Sequence, residues 1–232
     1  WLSHLKMEER RRPTLSGLFN ILPVCDGKFS VCSWNTRTLC HSDKQLRWAK
    51  VLQILDLCKR CQFVALLEVH GTLEALQTVL GPCLKSHELV FHSGCENKEG
   101  NLKEDSGGIA LLVARGLLGK CMSEPSSLVI SPGRLGRIEV SVEGHSFCLY
   151  PTHNFDISHS QMNNLEKVIQ VDIREAKASP SAKSVLLLGD FNIEPIGYKR
   201  HFIPKPSENG ECELGRGSRL PAASKRWQRI FD

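Results

Sequence analysis

Four apolar runs in this chain each lead directly into residues able to handle a charged, oxygen-rich substrate. Phe29–Ser33 gives way to Trp34-Asn35, and Ala65-Leu66-Leu67 to Glu68, with His70 two residues on. Ser146–Tyr150 leads to Thr152-His153-Asn154, and Val185–Leu188 leads through Gly189 to Asp190, with Asn192 two residues on. A carboxylate inside an apolar run is costly unless it is paired or bound to a metal. Glu68 therefore lies at a solvent edge, pairs with an arginine, or holds a metal. Asp190 and Asn192 point to the same side of an extended chain, where a carboxylate and an amide can hold a water and a phosphate oxygen together. Taken singly, each has a plainer reading: Asn35 caps a turn, His70 is a surface residue before Gly71, His153 packs or caps a loop, and Asp190 and Asn192 form a turn. Four such endings together point to a ligand site, because sites in open α/β sheets gather at strand ends.

The elements that must place these residues follow from periodicity. Strands are expected at Phe29–Ser33, Phe63–Val69, Leu89–His92, Gly107–Val113, Leu128–Ile130, Arg137–Val142, Ser146–Tyr150 and Val185–Leu188. Pro132-Gly133 and Glu143-Gly144 are turns between them. Leu46–Leu57 has helical spacing, with Trp48, Val51, Leu52, Leu55 and Cys58 on one face. Leu73–Leu80 is a short helix stopped by Gly81-Pro82, and Ser160–Ala178 is a helix that presents Met162, Leu165, Ile169 and Ile173. Cys95–Ser106 is polar and reads as a loop. Strands alternating with helices give a mixed α/β domain. Continuous apolar strands mean sheets covered on both faces, so two sheets packed together with helices outside fit the pattern.

The segments Phe29–Asn35, Leu66–Gly71, Gly107–Ala110 and Leu187–Asn192, in that order, resemble the endonuclease/exonuclease/phosphatase superfamily over about residues 28–195. The Glu68-Val69-His70-Gly71 form is most similar to the apurinic-endonuclease-like domain of LINE-type (non-LTR) retrotransposons. The resemblance implies a DNase-like, four-layer, two-sheet α/β sandwich and Mg²⁺-dependent hydrolysis of phosphodiesters, with Mn²⁺ as a substitute metal. DNA is the implied partner, cut by an endonuclease of retrotransposon origin. Glu68 would be the principal metal ligand, and Asn35 would help on the same metal or on the phosphate. Asp190 would orient and activate the attacking water, and Asn192 would hold the phosphate or the nucleophile. Apurinic-type members carry a Tyr and an Asn three apart where this chain has Tyr150 and Asn154 four apart. His153 is therefore the expected phosphate contact, with Asn154 beside it and Tyr150 in reserve.

The chain departs from the family in one respect. The superfamily's catalytic His belongs to a late Ser-Asp-His motif, which does not occur here; the only later histidine, His201, follows Asn192 too closely. A domain incomplete at its C-terminus is expected, with residues 1–27 a flexible basic lead-in, 28–195 the domain, and 196–232 a loop-rich basic segment. Loss of a general base costs ~10²–10⁴-fold in rate, which keeps a catalytically dead nucleic-acid-binding remnant in view. Thr152-His153 keeps a phosphatase or lipid phosphodiesterase of the same superfamily in view.

Composition sets the remaining bounds. With 232 residues, 41% of them hydrophobic, the chain can bury one substantial core. The net charge of +5 suits a polyanionic partner. No apolar run is long enough to span a bilayer, and Trp1–Lys6 shows neither an initiating Met nor a signal-peptide pattern, as in a fragment. An intracellular, non-secreted product is expected, nuclear if it is an endonuclease. The ten cysteines are scattered, and the one close pair, Cys58 and Cys61, lacks a second pair at zinc-site spacing. They read as reduced core thiols.

Overall fold

The computed structural model describes residues 29–96, 99–103, 106–154 and 157–191. Its strands are β1 (Val31–Asn35), β2 (Phe63–Leu67), β3 (His87–Ser93), β4 (Cys95–Glu96), β5 (Leu102–Lys103), β6 (Ile109–Ala114), β7 (Ser126–Ser131), β8 (Leu135–Val142), β9 (His145–His153) and β10 (Lys183–Asp190). The helices are α1 (Lys44–Arg60), α2 (Leu73–Leu80), α3 (Arg115–Leu118) and α4 (His159–Ala178). One sheet has the order β1-β2-β6-β3 and the other β10-β9-β8-β7, while β4 and β5 form a separate ribbon.

Alternation along the strands makes this a sandwich. In β2, Phe63, Ala65 and Leu67 point between the sheets, where they meet Ile138, Val140, Phe147 and Leu149. Val64 and Leu66 point the other way, onto Val51, Ile54 and Leu57 of α1 and Leu76 and Leu80 of α2. β6 divides likewise, with Ile109, Leu111 and Val113 inward and Ala110 and Leu112 under the helices. On the far side, Met162, Leu165 and Ile169 are the buried apolar residues of α4. The order helix, sheet, sheet, helix is the four-layer arrangement expected from the sequence.

Two helical crossovers place the site. α1 returns the chain so that β2 lies parallel to β1, with Asn35 opposite Leu67. α4 does the same for β9 and β10, with His153 opposite Asp190. A parallel pair needs such a crossover, and it leaves both C-terminal strand ends side by side. Each helix is started locally: Asp43 accepts from the Gln45 and Leu46 amides at α1, and Ser158 with Gln161 forms a capping box at α4.

Several expectations are corrected. α1 buries Val51, Ile54, Leu57 and Cys58, while Trp48 and Leu52 stand about half exposed, at 52% and 49%. Apolar residues occur around much of this helix, so spacing alone did not select the face that meets the sheet. Cys95–Ser106 contains the β4–β5 ribbon of two-residue strands, with Cys95 opposite Lys103 and Glu96 opposite Leu102. β1 begins two residues later than expected and runs through Asn35, because β2 pairs with it along that length. Tyr150 is wholly buried and donates its hydroxyl to Asp172 of α4, away from the strand ends. The close pair Cys58 and Cys61 sits in the core beneath α1, and the eight described cysteines are free thiols. Asn192 and the segments 1–27 and 196–232 lie outside the described residues. No helix among the described residues is long and apolar enough to cross a membrane.

α4 is fastened to its sheet by a buried charge cluster. Arg137 holds both carboxylate oxygens of Asp172 at 2.7 and 2.9 Å, and Lys183 adds a contact at 2.8 Å. Burial alone would raise the Asp172 carboxyl, but hydrogen bonds from Arg137, Lys183 and Tyr150 outweigh it and hold the group well below the usual carboxylate range. Asp172→Ala removes the buried carboxylate that Arg137 and Lys183 share, leaving them Glu139 and Glu175, and is expected to cost ~3 kcal/mol in urea denaturation at neutral pH. A carboxyl whose value is depressed on folding stabilises fully above its unfolded value, about pH 4, and loses that contribution as pH falls through the folded value. The gap between wild type and variant should therefore narrow below about pH 4.

Candidate active site

Four strand ends, two from each sheet, converge on one cluster of side chains. Asn35 Nδ2 donates to Glu68 Oε1 at 3.1 Å and to Asp190 Oδ2 at 3.3 Å. His153 Nε2 lies 3.0 Å from the same Glu68 oxygen. Asn35 and Asp190 are 155 positions apart, so only the packing of one sheet on the other brings them together. Asn154 flanks the cluster and donates its backbone N–H to Asp190 O at 2.8 Å. His70 lies at the rim, its Nδ1 3.1 Å from Thr38 Oγ1.

The backbone around Glu68 is strained and firmly held. Among the described residues, five non-glycine residues have positive φ, and four of them, Arg37, Thr38, Glu68 and His70, lie here. Each such residue costs ~1–3 kcal/mol and persists only where its surroundings impose it. Leu67 O accepts from the Thr36 N–H and hydroxyl, at 2.9 and 2.8 Å. Glu68 O accepts from the Thr36 hydroxyl and the Thr38 N–H, at 3.0 and 2.8 Å. The amides of Val69 and His70 donate to Gly108 O and Gly107 O. Lys50 Nζ caps the carbonyls of Arg37 and Thr38 at 2.6 and 2.8 Å. These bonds turn Glu68 out of the strand that carries it.

On the opposite side the close approach is at Gly189. A Cβ there would lie 1.8 Å from Thr152 O in the neighbouring strand. The glycine therefore lets β10 lie against β9 just before Asp190.

Electrostatically the cluster is acidic. The two carboxylates share one neutral amide donor, and an imidazole nitrogen, His153 Nε2, lies 3.0 Å from Glu68. Burial holds His153 below its ordinary value; Glu68 and Asp190 raise it, and Arg134 and His70 lower it. Among the described residues no three His, Cys, Asp or Glu side chains are placed to hold a metal ion together. The oxygen donors facing the site are the Glu68 and Asp190 carboxylates; Asn35 turns its Nδ2–H to them, while its Oδ1 accepts from the Arg37 N–H at 3.1 Å. Such a pair of carboxylates suits Mg²⁺, which keeps waters and takes substrate oxygens rather than an all-protein cage.

Of the residues expected from the sequence, the structure gathers Asn35, Glu68, His153, Asn154 and Asp190. Thr152 is buried, and its hydroxyl donates to Tyr150 O. Arg134 was not foreseen. Its Nη1 donates to His153 Nδ1 at 2.8 Å, and its sole sequence mark is its place directly after Pro132-Gly133. Arg134 also lines a recess of about 290 Å³ together with Glu96, Lys103, Ser106, Ser131 and Gln161.

The sequence matches no family model and no curated protein. Among solved structures, the AP endonuclease LMAP from Leishmania major shares the fold with a TM-score of 0.60 and 11% identity, over 88% of this chain and 66% of that one. D. rerio TDP2 complexed with a single-strand DNA product aligns at TM-score 0.46 and 17% identity, over 72% and 62% of the two chains. The Bacteroides thetaiotaomicron mannosyl-6-phosphatase Bt3783 aligns at 0.46 and 17%, over 72% and 66%. This chain spans 66% or less of each of these three solved chains. This chain thus has the DNase-like α/β sandwich fold.

Gly189→Ala tests whether β9 and β10 position the site. The variant is expected to lose ~3 kcal/mol or more of stability by thermal or urea melting, because its methyl overlaps backbone. Gly144→Ala, where nothing lies within 4 Å, should cost less than Gly189→Ala, the remaining loss coming from its φ of 84°.

Proposed function

We propose that this chain is a divalent-metal-dependent phosphodiester hydrolase that cuts DNA, an endonuclease domain of retrotransposon origin. The observation that carries this reading is the meeting of Glu68, Asn35 and Asp190 at the ends of strands from both sheets. Two carboxylates bridged by one neutral amide make a place that favours a cation and the phosphate it would neutralise.

In this reading Glu68 would be the principal ligand of Mg²⁺, for which Mn²⁺ would substitute, and Asn35 would help on the same metal through its Oδ1 or on the phosphate through its Nδ2–H. When bound, the metal stabilises charge that develops on the phosphate oxygens and the leaving group. Asp190 takes the task of orienting the attacking water and accepting its proton, and Asn192, which follows two residues later, that of holding the phosphate. His153 keeps the Glu68 carboxylate turned toward the site, and its Nε2–H lies where a phosphate oxygen near Glu68 would arrive; Asn154 lies beside it. Thr152 supports no phosphatase role, since its hydroxyl is buried and spent on backbone. The recess beside Arg134 has Lys103 and Glu96 in its wall, and its two cations against one carboxylate favour a flanking phosphate. The Glu68-Val69-His70-Gly71 form supports the retrotransposon origin, and a nucleic-acid substrate makes the nucleus the compartment of action.

The test is nicking of supercoiled plasmid by the full chain with Mg²⁺ or with EDTA. Nicking should require the metal. Glu68→Ala and Asp190→Ala should each lower it by ~10²-fold or more, and His70→Ala should matter less. Undiminished nicking by Asp190→Ala would sink the mechanism. Turnover of a small phosphomonoester with intact plasmid would make the chain a phosphatase. Salt-sensitive DNA binding without turnover would make it a binding remnant.

A further inference from the structure

We propose that Arg134 is a positioning residue that fixes His153 as its Nε2–H tautomer and thereby keeps Glu68 aimed into the site. The inference rests on the reading of Glu68 and His153 as parts of one hydrolytic centre.

The argument starts from donors and acceptors. A guanidinium carries five N–H donors, no acceptor, and a charge it does not lose in proteins. Arg134 Nη1 lies 2.8 Å from His153 Nδ1, a hydrogen bond that requires a lone pair on Nδ1. The proton of a neutral ring must then sit on Nε2, which lies 3.0 Å from Glu68 Oε1. One ring thus accepts from a cation on one side and donates to a carboxylate on the other. The opposite tautomer would turn an N–H toward the guanidinium and a lone pair toward the carboxylate. Two favourable contacts would become two repulsive ones.

The place of Arg134 is built into the fold. Gly107 has φ +60°, and a Cβ there would lie 3.0 Å from Arg134 Nη1, 3.1 Å from its Cζ and 2.4 Å from Cys95 Sγ. The guanidinium therefore lies close against a backbone that carries no side chain. Gly133 N–H donates to Ser93 Oγ at 2.9 Å, and Gly108 N–H to Gly133 O at 3.1 Å. Arg134 O accepts from the His153 N–H at 2.7 Å. The arginine is thus tied to the histidine through both backbone and side chain. His153 is only 4% exposed at its side chain, so water competes weakly for either nitrogen. The charged and titratable groups facing the ring are Glu68, Arg134, Asp190 and His70. Arg134 is placed on Nδ1, at 2.8 Å.

The consequence falls on Glu68. Its Oε1 receives both the His153 Nε2–H and the Asn35 Nδ2–H. A carboxylate held by two fixed donors presents one orientation, as ligating carboxylates held by outer hydrogen bonds do.

The experiment is ¹⁵N NMR of the imidazole nitrogens in the full chain, which reports directly which nitrogen carries the proton. Because the Glu68 carboxylate favours the same tautomer, the comparison is made in the isosteric Glu68→Gln background, whose amide can either donate or accept. We expect Nε2–H in the wild type and in Glu68→Gln. Adding Arg134→Met should shift the tautomer ratio toward Nδ1–H on the order of tenfold. Adding Arg134→Lys instead, which restores a cationic donor, should return the ratio toward that of Glu68→Gln. A proton on Nδ1 in the wild type, or an unchanged ratio after Arg134→Met in a chain with native dispersion, would overturn the proposal. The readout needs no turnover. A wild-type chain with the expected tautomer that fails to nick DNA would defeat the function proposed above and leave this inference standing.

Discussion

Burial of β2 and β6 on both faces is the constraint from which the rest of the structure follows. Residues alternate along a strand, so an uninterrupted apolar strand must be covered twice. Here one face is covered by a second sheet and the other by α1 and α2. Phe63, Ala65 and Leu67 cannot pack inward without drawing Phe147 and Leu149 against them. Each fully buried side chain of this kind contributes ~1.5–3 kcal/mol, enough in sum to hold two sheets in one register. That register carries the C-terminal ends of β1 and β2 toward those of β9 and β10. Neither sheet alone holds Asn35 and Asp190 together.

The site is the opposite of the core in its physics. The core gains by removing apolar atoms from water, whereas the strand ends gather two carboxylates and a strained backbone, both of which cost free energy. The cost is met by dense hydrogen bonding: Thr36, Thr38 and Lys50 hold the loop after β1, and Gly107 and Gly108 hold the turn at Glu68. The buried cluster of Arg137, Asp172 and Lys183 does related work on the outer face of the second sheet. There the charges are matched and point away from the strand ends. Tyr150 belongs to this outer cluster, which explains why a tyrosine three residues before His153 does not join the site.

Much of this was legible in one dimension. Leu73–Leu80 forms the helix expected from spacing, and Ser160–Ala178 differs by one residue at its start. Long apolar runs ending in Asn35, Glu68, His153 and Asp190 marked the strand ends, because the change from apolar to polar residues coincides with the edge of the sandwich. Other features left no trace in the pattern. The exposed Trp48 and Leu52 depended on which side of α1 met the sheet. The strands of the β4–β5 ribbon are two residues long, too short for side-chain periodicity to record.

The sequence by itself determined the class of fold and the kinds of side chain available for chemistry, since alternation, helical spacing and turn residues are local properties. It determined through Gly189 that β10 could lie flush against β9, although the reason, the approach of Thr152 O, is visible only in three dimensions. Tertiary structure alone decided which oxygens meet, that the Asn35 amide lies between Glu68 and Asp190, and that Arg134 touches His153. These are contacts between residues distant along the chain, and their distances are set by how two sheets pack, a collective outcome of the whole core that no local pattern encodes.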